Sequence, residues 1–400
     1  MKLITIAGRK NSGKSELTNI LVKNGYIRLS FAQYLKNMVA KLYDTDLDNF
    51  YNNKEAKVNL LWNDEIITKF CQLTGLKNED VKIRDKKLES YRDALQFIGT
   101  EIIRKIDNNF HINKTFENID MSLDYCIDDL RFISEKNYTD KINNVKYFYV
   151  IRPDNDVVSN HGSEIDLSWK DFKYHIINDS SKKDYIEKIK LILKNIDKPD
   201  KLDKILKNSY SRYNNNLFYD INSINSFFIG MLASGTKTSV EKYKGKYYLQ
   251  YTSMDHKQAV KFKHFIATSA KIEKAGVYYN LYSSISPYVV ENLKKWDFLV
   301  GGNLTDVPLI VKNNDYLFNY FSLGLINKNK DDIFIVANKN IIDYILKFYQ
   351  IEAELLENYK NTGLTKLVLP DSNLMDKITY NISEFELKNF KESSNGWLIK

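Results

Sequence analysis

The chain has few of the residues that hold small domains together through covalent or metal bonds. Its 400 residues include five histidines and two cysteines, Cys71 and Cys126, which lie far apart in apolar surroundings. We therefore expect no disulfide, a reducing compartment and no structural zinc site. No run approaches the ~20 consecutive apolar residues of a membrane span, and the N-terminus enters a strand pattern without signal-peptide features. These absences predict a cytoplasmic protein with no membrane partner.

The chain does have the length and composition of a packed protein. Four hundred residues exceed one ordinary core, and with 43% hydrophobic residues we expect two domains. The net charge of +8 is uneven, because residues 201–280 hold 13 basic and 5 acidic residues. Such an excess either attracts a polyanion such as nucleic acid or forms a solvated face, and composition leaves both open.

Residues 8–15 read Gly-Arg-Lys-Asn-Ser-Gly-Lys-Ser, which fits the pattern G-x-x-x-x-G-K-[ST] between a strand pattern and a helix pattern. The glycines let the backbone curl so that its N–H groups face phosphates at a helix N-terminus. Lys14 is long enough to reach the β- and γ-phosphates, and the hydroxyl of Ser15 suits Mg²⁺. We therefore predict ATP and Mg²⁺ as cofactors, rather than a chance glycine-rich turn. The predicted cofactor-binding residues are Gly8, Lys10, Asn11, Ser12, Gly13, Lys14, Ser15 and Glu16.

The first half alternates strand and helix patterns, which is typical of a parallel sheet covered by helices. Residues 44–90 interrupt this alternation and read as a mostly helical, polar insertion. Polar side chains follow two of the strand patterns, at the edge where open α/β sheets bind ligands. We assign Asp128 to Mg²⁺ together with Ser15. Arg131 and Arg152 are suited to clamp a transferred phosphoryl group beside Lys14 as catalytic residues, although a single arginine is more often part of a surface ion pair.

Further segments of the first half carry a joint pattern. Residues 92–104 read R-x-x-L-Q-x-x-G-T-E-x-x-R, residues 30–36 read S-F-A-x-x-L-K, and residues 127–135 read I-D-D-L-R-F-x-x-E. Residues 151–179 add R-P, H-x-S-E and N-D elements in that order. Together these segments resemble bacteriophage deoxynucleoside monophosphate kinases over about residues 1–195.

The resemblance implies a P-loop kinase fold and Mg-ATP-dependent phosphorylation of a deoxynucleoside monophosphate (dNMP). One departure is the pair Phe110-His111, near a position where that family typically has tryptophan. Dephospho-coenzyme A or a ribonucleotide are alternative acceptors, and the sequence does not rank the dNMPs. The substrate-side residues assigned in this way are Lys36, Arg92, Gln96, Glu101 and Asp129.

The second half repeats one pattern after about 90 residues. An apolar helix, a strand and a helix at 226–266 are followed by the same order at 316–349, with small residues in both first helices. This scheme resembles LAGLIDADG homing endonucleases over about residues 222–370. In that family each first helix delivers an acid to Mg²⁺ beside DNA.

The corresponding helix ends here lack that acid. They read Ala233-Ser234-Gly235 and Ile326-Asn327-Lys328-Asn329, and neither Ser nor Asn supplies the negative charge that two-metal hydrolysis needs. We expect a catalytically dead module that binds double-stranded DNA, or else an unrelated α+β appendage. The lysines expected to hold DNA are Lys237, Lys242, Lys244 and Lys246.

The sequence thus predicts an α/β P-loop kinase fold, a parallel sheet flanked by helices, at 1–196. A linker at 197–221 and an α+β domain with a duplicated helix–strand–helix scheme at 222–400 follow. The leading function is phosphorylation of a dNMP, with DNA as a further partner. The alternative is a nucleic-acid-binding or homing-type protein whose kinase half only binds nucleotide. A homodimer is left open, and the compartment is the host cytoplasm if the chain is viral.

Overall fold

The computed structural model describes residues 1–53, 56–154, 166–206, 214–234, 238–301, 304–328, 333–351, 353, 355–357 and 364–369. The chain forms two compact units. The first comprises Met1–Val150, His161–Ile176 and Lys182–Leu206, and the second comprises Ile151–Asn160, Ile177–Ser181 and Lys207–Lys400. No helix within the described ranges is both long enough and apolar enough to cross a membrane. The functional labels of the domains stay a prediction.

A five-stranded sheet forms the centre of the first unit. Its strands are β1 (Leu3–Ala7), β2 (Ile27–Leu29), β5 (Tyr125–Ile127), β6 (Val145–Ile151) and β7 (Tyr174–Ile177). The strand order is β2-β5-β1-β6-β7, and β2, β5, β1 and β6 pair in parallel. All five residues of β1 are buried, as an interior parallel strand requires. The predicted parallel sheet flanked by helices is therefore confirmed.

The sheet changes winding direction at β1. From β1 the chain runs outward to β2 and returns through β5, and it then crosses to β6 on the other side of β1. Open α/β sheets bind ligands at the carboxyl ends of strands where the order reverses in this way. The loop that follows β1 therefore lies at the expected ligand-binding edge.

Helices surround this sheet, and a π-helical stretch, Phe97–Ile103, continues one of them. The insertion predicted to be mostly helical contains a hairpin of β3 (Lys57–Trp62) and β4 (Lys86–Ser90). In the core of this insertion, the rings of Phe70 and Phe97 pack edge-to-face against Trp62, with ring centroids 5.3 and 5.6 Å from that of Trp62. The helices are α1 (Lys14–Lys23), α2 (Gln33–Leu42), α3 (Asp64–Thr74), α4 (Tyr91–Gln96), α5 (Arg104–Ile106), α6 (Phe110–Phe116), α7 (Ile133–Thr139), α8 (Lys182–Lys194) and α9 (Pro199–Leu206).

The second unit contains the same arrangement twice. Its first repeat is α10 (Ser223–Ser234), β8 (Ser239–Tyr243), β9 (Lys246–Ser253), α11 (His256–Phe265), β10 (Ile272–Ala275) and β11 (Tyr278–Ile285). After α12 (Pro287–Leu293) and α13 (Leu309–Lys312), the second repeat is α14 (Asp315–Leu325), β12 (Ile326–Lys328), β13 (Ile333–Ala337), α15 (Lys339–Tyr349), β14 (Leu355–Leu356) and β15 (Thr365–Leu369). The antiparallel sheets are ordered β10-β11-β9-β8 and β14-β15-β13-β12, the same order within each repeat.

The first helices of the two repeats touch through glycine. A Cβ on Gly230 of α10 would lie 2.1 Å from the carbonyl oxygen of Phe321, and one on Gly324 of α14 would lie 1.9 Å from that of Phe227. Real Cβ atoms do not approach so closely, so only glycine fits at either position. Ser226 adds a buried hydrogen bond from its Oγ to the carbonyl oxygen of Leu317, at 2.7 Å.

Candidate functional site

The loop between β1 and α1 is curled tightly by two glycines with positive φ. Gly8 has φ +138°, and a Cβ there would lie 2.4 Å from the carbonyl oxygen of Val150 on β6. Gly13 has φ 107° and immediately precedes α1. The ammonium of Lys14 donates to the carbonyl oxygens of Gly8 and Arg9, both at 2.6 Å. The ammonium of Lys14 is therefore held against the backbone of its own loop. The loop leads into the start of α1, where backbone N–H groups favour an anion.

The same loop forms part of a cavity of about 730 Å³ within the first unit. Its acidic lining residues are Asp128, Asp129 and Glu135, so positive charges outnumber negative ones. An excess of positive charge in a concave site attracts a ligand with several negative charges. The cationic lining residues are Lys10, Lys14, Arg28, Lys36, Arg92, Arg104 and Arg131.

Asp128 follows β5 and is almost fully buried in this cavity. Its Oδ2 accepts from Nη2 of Arg28 at 2.8 Å, and its Oδ1 accepts from Nε at 3.3 Å. Burial and the neighbouring Asp129 raise the pKa of Asp128, and Arg28 opposes that rise. Ser15 lines the same cavity, and both side chains carry oxygen atoms of the kind that Mg²⁺ prefers as ligands. Among the described residues no three potential metal-ligating side chains cluster, so phosphates and water would complete the coordination of a bound ion.

Asp129 is hydrogen-bonded to the turn that leads into α2. Its carboxylate accepts from Oγ of Ser30 at 2.6 Å and from the backbone N–H groups of Phe31 and Ala32, both at 3.0 Å. These bonds fix the direction of α2 and thereby the position of Lys36. Burial lowers the pKa of Lys36, and the nearby charge of Asp129 opposes that decrease.

The structure brings together most, but not all, of the residues predicted from the sequence. Glu101 does not line the cavity, and its Oε2 accepts from Nζ of Lys105 at 2.6 Å. Glu16 lies 3.5 Å from Nζ of Lys182, and Arg152 is exposed after β6 and belongs to the second unit. Neither lines the cavity, and the roles of all these residues stay predictions. The predicted residues that do line the cavity are Lys10, Asn11, Lys14, Ser15, Lys36, Arg92, Gln96, Asp128, Asp129 and Arg131; Gly8, Ser12 and Gly13 shape the loop beside them.

The lysines predicted to hold DNA have different surroundings. Lys237 lies outside the described residues. Nζ of Lys242 is 2.6 Å from Oδ2 of Asp154 in the same unit, so this lysine is ion-paired. Lys244 and Lys246 are exposed at the turn between β8 and β9.

The expected loss of the acid at the helix ends is described only in part. Ser234 is buried at the end of α10, and its Oγ donates to the carbonyl oxygen of Met231 at 2.9 Å. Gly235 and Asn329 lie outside the described residues, as do the side chains of Asn327 and Lys328.

No protein-family model matches this chain, and no curated protein matches it. Solved structures similar to it include a variant of I-DmoI in complex with its target DNA and manganese, at 19% identity over 40% of this chain and 91% of that chain, with a TM-score of 0.26. A second I-DmoI variant, with target DNA and magnesium, is 17% identical over 42% and 96%, with a TM-score of 0.27. Mesophilic variants of the homing endonuclease I-DmoI are 16% identical over 40% and 94%, also at 0.27.

The cavity lining also includes Arg28, Arg104, His111 and Glu135, which were not assigned from the sequence. Glu135 is buried, forms an ion pair with Arg104, and accepts from the backbone N–H groups of Arg131 at 2.8 Å and Phe132 at 3.1 Å. Burial raises the pKa of Glu135 to about 7, against the charge of Arg104. Arg104 and Glu135 are the last letters of two motifs, which was a usable signal. Arg28 lies outside these motifs, and His111 was visible only as part of the departure at Phe110-His111.

Proposed function

We propose that the first unit transfers the γ-phosphoryl group of Mg-ATP to the phosphate of a dNMP. The observation that supports this most is a continuous cavity that joins the glycine loop to a wall of cationic side chains. Phosphoryl transfer depends mainly on positioning two phosphates and neutralising their charge, and this lining suits both tasks.

In this proposal each residue contacts one part of the reacting pair according to its place in the cavity. Lys14, which donates to two backbone carbonyls of its own loop, would turn to the β- and γ-phosphates. Ser15 and Asp128 would hold Mg²⁺, which would neutralise phosphate charge. Lys36 and Arg92 hold the acceptor phosphate. Arg131, whose backbone is fixed by Glu135, stabilises charge on the transferred group. The acceptor phosphate is itself a nucleophile, so no general base is needed.

The test is a panel of acceptors incubated with Mg-ATP and separated by chromatography. We expect ADP and one or more deoxynucleoside diphosphates in equal amounts, with dephospho-coenzyme A and ribonucleotides as comparison acceptors. Lys14→Ala should abolish both products, whereas Lys190→Ala, an exposed lysine on α8, should leave them unchanged. Turnover that persists in Lys14→Ala, or ADP without a phosphorylated acceptor, would overturn the proposal.

We propose further that the second unit binds double-stranded DNA without cleaving it. The supporting observation is the duplicated arrangement, in which each repeat presents a four-stranded antiparallel sheet. Antiparallel ribbons fit the major groove, and the turn of Lys244 and Lys246 lies next to Tyr243, a residue that is 58% exposed. Tyr248 and Tyr282 stack at 4.9 Å across β9 and β11.

A gel-shift and nicking assay on the full chain tests this second proposal. We expect duplex binding that weakens steeply with salt and weakens further in Lys244→Gln/Lys246→Gln. Lys190→Gln is the matched control. Metal-dependent cleavage would refute inactivity, and no shift at low salt would refute DNA binding.

A further inference from the structure

Two buried polar atoms in the cavity wall are unused by the surrounding protein. Nη1 of Arg104 and Nδ1 of His111 have no hydrogen-bond partner in the part of the chain that the structure describes. The side chain of Arg104 is 9% exposed, His111 is 3% exposed, and both line the cavity. A buried polar atom without a partner is costly, so each is expected to gain one when a ligand enters.

His111 presents an acceptor. Its Nε2 lies 3.3 Å from the carbonyl oxygen of Gly99, which can only accept, so Nε2 carries the proton. Burial, and then the charge of Arg104, lower the pKa of His111 to about 4, so the ring is neutral at pH 7. In a neutral ring protonated at Nε2, Nδ1 is a lone-pair acceptor.

Arg104 presents a donor in a fixed place. Its Nη2 is paired with Glu135, and its guanidinium lies 3.7 Å from the ring centroid of Phe132. Stacking and ion pairing hold the planar group, and Nη1 is left to donate elsewhere.

Apolar side chains line the same cavity. Phe31 and Leu35 are buried, and Leu95 and Phe132 are partly buried. One donor and one acceptor beside apolar walls match the edge of a planar heterocycle, which carries both kinds of group. A phosphate matches less well, because it carries acceptors only and has no use for Nδ1 of a neutral histidine.

We propose that Arg104 and His111 form the subsite that hydrogen-bonds the base of the acceptor nucleotide, with Nη1 donating and Nδ1 accepting. This assignment rests on the proposed function for the presence of an acceptor nucleotide. It makes both residues determinants of which dNMP is used, and it places base recognition where the chain has Phe110-His111.

Two substitutions of His111 separate recognition from structure. Asn places its amide near the position of Nδ1 and so offers an acceptor oxygen there, but it cannot reach Gly99. Gln places its amide near the position of Nε2 and keeps the bond to Gly99, but it leaves the position of Nδ1 without an acceptor. We expect His111→Gln to raise the KM for the preferred dNMP about tenfold and His111→Asn to raise it less than about threefold. A purely structural histidine predicts the reverse order and would overturn the proposal.

Arg104→Lys keeps a cation beside Glu135 and removes Nη1. We expect it to raise the KM for the preferred dNMP by about 10- to 100-fold, with the KM for ATP unchanged and with reduced discrimination among the dNMPs. Arg84→Lys, at an arginine 40% exposed outside the cavity, is the matched control. An unchanged dNMP preference in Arg104→Lys would overturn the assignment.

Calorimetric binding of dNMPs without ATP separates this inference from the proposed function. If the protein binds a dNMP but forms no diphosphate, the kinase proposal fails, and the order of the His111 variants still tests the subsite. A matching 3′-deoxy nucleotide distinguishes base from sugar. Equal losses for both nucleotides in His111→Gln support base recognition, and a loss seen only with the 3′-hydroxyl present would assign the residues to the sugar and overturn the proposal.

Discussion

Arg28 donates two hydrogen bonds to the carboxylate of Asp128, from Nη2 to Oδ2 at 2.8 Å and from Nε to Oδ1 at 3.3 Å. The two partners differ in environment, because the arginine side chain is 49% exposed and the aspartate side chain is 6% exposed. A buried carboxylate needs a nearby positive charge, and a bound Mg²⁺ would supply one just as the guanidinium does. In the protein without metal, Arg28 therefore supplies the positive charge that Mg²⁺ would supply to Asp128 at the predicted metal site.

Replacing Arg28 should make the protein depend more on Mg²⁺. In Arg28→Gln the carboxylate of Asp128 loses its partner beside Asp129, so Mg²⁺ should raise the Tm by about 2–4 °C more than it does in the wild type. Scanning calorimetry in the presence of ATP, with and without Mg²⁺, measures this difference. The double variant Arg28→Gln/Asp128→Asn should lose the extra shift, and an equal shift in all three proteins would show that Asp128 is not a metal ligand.

The loop glycine Gly8 should tolerate no side chain. In Gly8→Ala the new Cβ would meet the carbonyl oxygen of Val150 at 2.4 Å, so the loop must move away from β6 and its N–H groups lose their alignment. We expect ATP affinity to fall at least about tenfold in a binding titration. Gly25→Ala is the matched control, because Gly25 also has positive φ (+91°) but has open space around its Cβ. Similar losses in both variants would mean that backbone strain, rather than the contact with Val150, is responsible.

Features that depend on neighbouring residues could be predicted from the sequence, and features that depend on distant pairing could not. The loop of Gly8 and Gly13 has a local pattern because its curl is decided within eight residues. The β3–β4 hairpin pairs Trp62 with Lys86 across a helix, and its strands contain too many polar residues to show an apolar run. Likewise, Asp128, the partner of Arg28, is 100 residues away, so no spacing rule connects Arg28 to the cavity.

The duplication in the second half was visible for a related reason. The first helix of each repeat, α10 or α14, has a run of small and apolar residues around Gly230 or Gly324, and such runs stand out in a sequence. Two strands of the second repeat did not stand out, because β12 has only three residues and β14 has two. Short strands gain their stability from the sheet they join, so their own composition carries little information.

An alanine at Gly230 or Gly324, where α10 and α14 touch, should destabilise the second unit. Gly230→Ala places a Cβ 2.1 Å from the carbonyl oxygen of Phe321, and Gly324→Ala places one 1.9 Å from that of Phe227. Separating two packed helices should cost about 3 kcal/mol or more of unfolding free energy, measured by hydrogen exchange of peptides from this unit. Ala233→Gly, on the same helix, adds no atom and should cost only about 1 kcal/mol. Equal effects would show that helix propensity, rather than close approach, decides.

His111 should make stability fall in acid. Its pKa is about 4 in the folded protein and near 6.5 when unfolded, so the unfolded chain binds more protons between these values. The contribution is fully present above about pH 6.5 and is lost as pH falls toward 4, by about 3 kcal/mol at most. Urea unfolding from pH 4 to 7 should show a slope of stability against pH that is less positive for His111→Gln than for the wild type. His256→Gln, at an exposed histidine on α11, should keep the wild-type slope.

Glu135 should act in the opposite direction over nearly the same range. Its pKa rises from 4.5 to about 7 on folding, so the folded protein holds the extra proton and the contribution is fully present below about pH 4.5. That contribution is lost as pH rises toward 7, whereas the contribution of His111 is gained. The wild type should therefore be nearly insensitive to pH between about 4.5 and 6.5, at least as far as these two groups are concerned. His111→Gln should then lose stability with rising pH, Glu135→Gln should gain it, and the same slope in both variants would contradict the assignment of either group.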